Sequence, residues 1–160
     1  MRKKKTENET LQIRLPAYRE IPGVGLYLDQ TSEYINECFG ISDMITNSMI
    51  SNYVKKDLID NPSKKRYGRD QIAYLIFIAM TKSVLSLDDV ASLFELQKRE
   101  YSCEEAYGCF RDFFEKLSVG EEVVLKKDEK EEKVLLKDIT MTVVSNLSLH
   151  RRLKEITSRG

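Results

Sequence analysis

The chain has 160 residues, 41% hydrophobic and 32% charged, with 26 acidic and 26 basic side chains cancelling to zero net charge. That length suits one domain with its own core, and the charge balance excludes both a uniformly basic nucleic-acid glue and an acidic solvating tail. Cys38, Cys103 and Cys109 are odd in number and too sparse for a disulfide scaffold, so reduced thiols in a cytoplasmic protein are expected. Arg2–Lys5 is basic, but the polar run Thr6–Thr10 follows it where a signal peptide needs an apolar stretch. The apolar run Ile76–Met80 is far too short to span a membrane, and no membrane partner is expected.

Residues 1–14 read as a disordered basic and polar arm. Pro16, Pro22 and Gly23 then punctuate an extended lead-in. Leu28, Tyr34, Ile35, Cys38 and Phe39 follow helical spacing and predict a helix over 26–39, ended by Gly40 in a left-handed conformation. After a short connector, Thr46 has the chemistry of an N-cap. A second helix is predicted over 47–57, burying Ile50, Tyr53, Val54 and Leu58. Asp60–Ser63, with Pro62, reads as a turn leading into Lys64, Lys65, Arg66 and Tyr67, a basic loop or hairpin. The third helix, 69–83, is apolar round much of its circumference and is expected to be the central core helix. Ser86 and Asp89 form a capping-box variant that opens a fourth helix reaching about Leu96. A fifth is predicted over 103–117 and a last helix over 134–156, joined by the mostly charged residues 121–133, which read as a frayed segment or, at Glu122–Leu125, as a short strand.

The zero net charge conceals blocks: residues 46–83 carry +4, between −4 over 21–45 and −6 over 84–139. At physiological salt a field is felt over about 8 Å, so a local basic block is a stronger partner signal than the isoelectric point. Here the block coincides with the second helix and the basic loop. A helix-turn-helix lays its second helix in the major groove, where short polar side chains reach base edges and cations reach phosphates. Asn47, Ser48, Ser51 and Asn52 are the candidates for bases. Lys55, Lys56, Lys64, Lys65, Arg66 and Arg69 are the candidates for phosphates, with the Tyr67 hydroxyl either a further phosphate contact or simply packed under the wing. Six phosphate contacts would give a salt dependence with a slope near −5 per protomer, at about 0.9 per contact.

These residues also carry a resemblance. Residues 46–95 resemble the N-terminal winged-helix domain of MerR-type bacterial regulators. Shared features are a helix ending in Leu58-Ile59, a Pro-containing basic wing, Tyr67-Gly-Arg-Asp-Gln-Ile72 and Leu85-Ser-Leu-Asp-Asp-Val90. The recognition helix departs from that pattern, with Ser51-Asn52-Tyr53-Val54 where Arg-Tyr-Tyr or Arg-Tyr-Trp and then Glu are usual. Only Tyr53 matches, which implies a phosphate contact for it. More closely, Leu15 to Phe94 is similar to the bacterial family called domain of unknown function 1836, through Tyr27-Leu-Asp-Gln30, the segment 49–59 and Lys64-Lys-Arg-Tyr-Gly-Arg69.

No Gly-rich phosphate loop or metalloprotease motif occurs, His150 is the one histidine, and Cys103 and Cys109 have the wrong spacing for a zinc knuckle. No enzyme activity, cofactor or metal is expected. Tyr101, Tyr107, Phe110, Phe113 and Phe114 read as core, with a pocket for a small apolar effector as the alternative. The expected architecture is therefore mainly α: a MerR-like winged helix-turn-helix over 15–96 and a helical C-terminal region over 97–160 that completes the core or dimerises. The expected function is sequence-specific binding of double-stranded DNA in bacterial transcription regulation. A homodimer is favoured, because one reader spans only a short half-site. A helical protein-interaction adaptor that has lost DNA binding is the alternative.

Overall fold

The computed structural model describes residues 13–160, so the polar arm expected over 1–14 lies almost wholly outside the described residues. The described chain is mainly helical: α1 (Leu28–Phe39), α2 (Asn47–Lys55), α3 (Arg69–Thr81), α4 (Leu87–Glu100), α5 (Cys103–Ser118) and α6 (Glu131–Thr157), with a 3-10 turn at Tyr18–Glu20. It divides into two compact units, Ile13–Arg111 and Asp112–Gly160, the division falling within α5. The boundary expected at 96/97 instead lies inside α4.

In the first unit α3 forms the centre. Ile72, Ala73, Leu75, Ile76, Ile78, Ala79 and Met80 are all buried, which suits a helix apolar on nearly every side. Phe77 on α3 meets the Phe110 ring of α5 edge-on at 5.0 Å and the Phe94 ring of α4 at 5.9 Å. Tyr74 lies 4.6 Å from Phe94. Such ring pairs contribute about 0.5–1.5 kcal/mol each beyond the area they bury. The lead-in is pinned to α5, because the Tyr107 hydroxyl donates to the Pro16 carbonyl and the Arg111 guanidinium to that of Leu15.

The helix ends follow from local chemistry. Gly40 takes φ 63°, and the amides of Gly40 and Ile41 return to the Glu37 and Asn36 carbonyls, closing α1 in a Schellman motif. The Thr46 side chain accepts from the Met49 amide at 3.2 Å and starts α2. Asp57 takes the left-handed role at the other end, with φ 58°. Its amide and that of Leu58 return to Val54 and Tyr53, and Leu58 is buried. This αL turn stops α2 at Lys55 instead of 57. Helix α4 instead runs past Leu96 to Glu100, where the Gln97 side chain donates to the Tyr101 carbonyl.

Glu122–Leu125 is irregular instead of a strand. Among the described residues strand-like pairing is confined to two isolated antiparallel bridges, Ser63 with Arg66 and Leu26 with Tyr67. In the second unit α5 contributes Phe113 and Phe114 and α6 contributes Ile139, Thr140 and Val143 to the buried residues. No helix among the described residues is long and apolar enough to cross a membrane.

Candidate nucleic-acid interface

Helix α2 divides cleanly. Ile50 and Tyr53 are buried, whereas Ser48, Ser51, Asn52 and Lys55 are exposed. Positions 48, 51, 52 and 55 are spaced i, i+3, i+4 and i+7, so they share one face. Lys56 continues the exposed edge past the helix end. The face begins with short hydrogen-bonding groups and finishes with cations.

The basic loop is a two-residue hairpin turn. The amides of Ser63 and Arg66 each donate to the other's carbonyl, at 3.1 and 3.0 Å. Lys64 and Lys65 between them have φ 50° and 63°. A type I′ turn requires left-handed backbone at both central positions and is normally built from Asn-Gly or Gly-Gly. Each lysine there costs roughly 1–2 kcal/mol. Lys64, Lys65 and Arg66 are exposed, and neither Lys64 nor Lys65, nor Lys55 or Lys56, makes an ion pair among the described residues.

One turn of α1 ties these two features together. Tyr27, which caps α1, receives a hydrogen bond from Arg66 on its hydroxyl at 3.0 Å, and the guanidinium lies 4.7 Å from the centre of its ring. Two residues further on, Asp29 accepts from the Asn47 amide group, whose oxygen in turn accepts from Ser32 at 2.6 Å. The hairpin and the start of α2 are therefore both anchored to the first turn of α1. The preceding loop is pressed against the hairpin, since a Cβ at Gly25 (φ 80°) would lie 3.0 Å from that of Arg66. Leu26 and Tyr67 exchange backbone hydrogen bonds alongside. The far side of the connector is fixed by Asn36, which bonds both the amide and the carbonyl of Ile45 at 2.9 Å, and by Lys82, which donates to the Met44 carbonyl.

The expected contact set is accordingly reduced. Tyr53 and Tyr67 are each 5% exposed and belong to the core, and burial pushes both phenols above their ordinary pKa. Arg69 is spent on the lead-in, donating to the Ile21 carbonyl at 2.7 Å and to that of Arg19 at 3.2 Å. Asn47 is half-buried and engaged with Asp29 and Ser32, so it fixes the angle between α1 and α2. Ser48, Ser51, Asn52, Lys55, Lys56, Lys64, Lys65 and Arg66 are all presented to solvent. Tyr27 was not picked out as a contact by sequence reasoning. Its signal was available, as an aromatic immediately before a helix in a segment distinctive enough to carry the family resemblance.

Elsewhere, Tyr107, Phe110, Phe113 and Phe114 are buried and Tyr101 half-buried, so these rings fill core space. Burial, and after it the carboxylate of Asp70, pushes the Cys103 thiol up to about 12, so it is a poor nucleophile. No group of His, Cys, Asp or Glu among the described residues is arranged to hold a metal ion.

The described residues are thus mainly helical and offer an exposed polar face on α2 and an exposed cationic hairpin with the half-exposed Tyr27 ring beside it. The profile of a family described as a domain of unknown function, DUF1836, matches residues 16–110, more than half the chain, and the protein belongs to that family. Comparison with curated proteins and with solved structures finds no match.

Proposed function

We propose that this protein is a sequence-specific reader of double-stranded DNA, a winged-helix regulator of bacterial transcription. In this reading α2 enters the major groove, which is about 12 Å wide and admits a helix. Ser48, Ser51 and Asn52 meet base edges there. Lys55 and Lys56 hold the adjacent backbone, and Lys64, Lys65 and Arg66 form a minimal wing on the flanking phosphates. The observation that carries the reading is the shared anchorage of the hairpin and the start of α2 on one turn of α1, which supports reading the two segments as parts of one contact surface. The strained lysine pair supports it too. Left-handed lysines at a hairpin tip cost stability and offer nothing to folding that Asn-Gly would not, so charge at the tip is what they supply. The protein-interaction adaptor is less favoured, because the outer face of α2, made of Ser48, Ser51, Asn52 and Lys55, carries no apolar anchor of the kind that dominates protein interfaces.

The test is selection of bound sites from a random DNA pool, followed by affinity measurements across a salt series. Five phosphate contacts predict a slope of about −4.5 per protomer, at 0.9 each. Lys64→Ala, Lys65→Ala and Arg66→Ala together should weaken binding to every sequence and flatten the slope by about 2.7. Asn52→Ala should instead relax sequence choice, by about 1–3 kcal/mol at one base position. A wild-type chain that enriches no sequence and shifts no duplex at low salt overturns the reading.

A further inference from the structure

Arg66 differs from the other exposed cations of the candidate surface in having a fixed head group. Lys55, Lys56, Lys64 and Lys65 make no ion pair among the described residues. The Arg66 guanidinium, by contrast, donates to the Tyr27 hydroxyl at 3.0 Å and lies 4.7 Å from the centre of that ring. Its stem is held too, because a Cβ at Gly25 would stand 3.0 Å from Arg66 Cβ and 3.8 Å from its Cδ. Tyr27 in turn stands on ordered backbone. Its amide donates to the Gln30 side chain at 3.0 Å, and its carbonyl accepts from the Thr31 amide and hydroxyl at 2.8 and 2.9 Å. The tyrosine is nevertheless 46% exposed, so core filling does not account for its ring.

A guanidinium carries five N–H donors in a planar fork. The bond to Tyr27 uses one of them, and Arg66 is otherwise open to solvent. The edge that is left matches the two outer oxygens of a phosphodiester, and a bidentate pair of that kind fixes position as well as supplying charge. A lysine ammonium supplies charge from a flexible stem without that geometry. We propose that Tyr27 is a positioning residue for the wing, holding Arg66 so that the free edge of its fork clamps one phosphate of the DNA backbone. Lys64 and Lys65 add attraction without direction. Because the first turn of α1 also anchors Asn47 at the start of α2, the clamped phosphate sets the register of that helix on the duplex.

This inference rests on the DNA reading, and a double-mutant cycle separates its failure from the failure of that reading. The full chain and its variants are titrated with a selected duplex across a salt series. Tyr27→Ala should weaken binding about two- to fivefold, as expected for an exposed cation–ring contact. It should leave the salt slope unchanged, because no cation is lost. Arg66→Ala should weaken binding at least about tenfold and flatten the slope by about 0.9. The two changes together should cost no more than Arg66→Ala alone, since Tyr27 acts only through the arginine. Tyr27→Phe keeps the ring and should bind within about twofold of wild type. Arg66→Lys keeps the charge and the slope and should still lose at least as much affinity as Tyr27→Ala. Losses that add in the double variant would give Tyr27 a role of its own and overturn the proposal. So would Tyr27→Ala or Arg66→Lys binding as wild type does. A wild-type chain that shifts no duplex overturns the DNA reading and this inference with it.

Discussion

Helices α2 and α6 both leave one face uncovered, and the two faces differ in kind. That of α2 carries Ser48, Ser51, Asn52 and Lys55, groups that water already satisfies. That of α6 carries Leu149, Leu153 and Ile156, for which water is a poor solvent. A polar face costs nothing to expose and gains from a partner only through directed hydrogen bonds and charge. An apolar face gains by burial alone, whatever the partner's sequence. The first kind is stable in water as it stands, and the second gains from any apolar surface that covers it.

The comparison is broken or sharpened most strongly by substitutions on opposite sides of it. Ile50→Ala removes a fully buried side chain beneath the α2 face and should destabilise the fold by about 2–5 kcal/mol. Leu149→Ala should change monomer stability by no more than about 0.5 kcal/mol, as expected of a surface position. Chemical denaturation at low protein concentration checks both. Equal losses would mean that the α6 stripe belongs to the monomer's core.

A smaller effect, of unusual sign, is expected at the hairpin. Lys64→Asn with Lys65→Gly relieves the left-handed strain at 65, while Asn keeps part of it at 64, and should stabilise the fold by about 1–2 kcal/mol. The same change removes two exposed cations and should flatten the salt dependence of DNA binding by about 1.8. A variant that gains stability and keeps full affinity would show that the tip is not a phosphate contact. Smallest of all, Tyr27→Ala frees Arg66 from its ring and should weaken DNA binding by about 0.5–1 kcal/mol. Tyr27→Phe, which keeps the ring under the guanidinium, should recover most of that loss.

Much of the helical layout was legible in the residues because its signals are local. Thr46 and Ser86 cap where their hydroxyls can reach free amides, Gly40 ends α1 because it accepts positive φ cheaply, and the apolar run of α3 announces burial on all sides. The end of α2 was harder to read. Asp57 takes a left-handed conformation that Asp adopts less often than Gly, and the closing contact is made by Leu58. The short strand weighed at Glu122–Leu125 finds no strand among the described residues to pair with, and the segment is irregular.

The exposed cations and short polar residues of the candidate surface could be chosen from sequence by charge and spacing. Which of them are available could not. Helical spacing already placed Tyr53 on the buried side while the family pattern made it a phosphate contact, and burial decides for the core; Arg69 looks like a phosphate ligand until the lead-in supplies carbonyls for its guanidinium. Asn47 becomes a hinge pin only when Asp29, distant in sequence, is brought beside it. Local chemistry in the chain thus settled where helices begin and end and where charge accumulates. Only tertiary packing decided which polar groups are already satisfied internally, because a hydrogen-bonding group committed to a partner far along the chain is no longer free to meet another molecule.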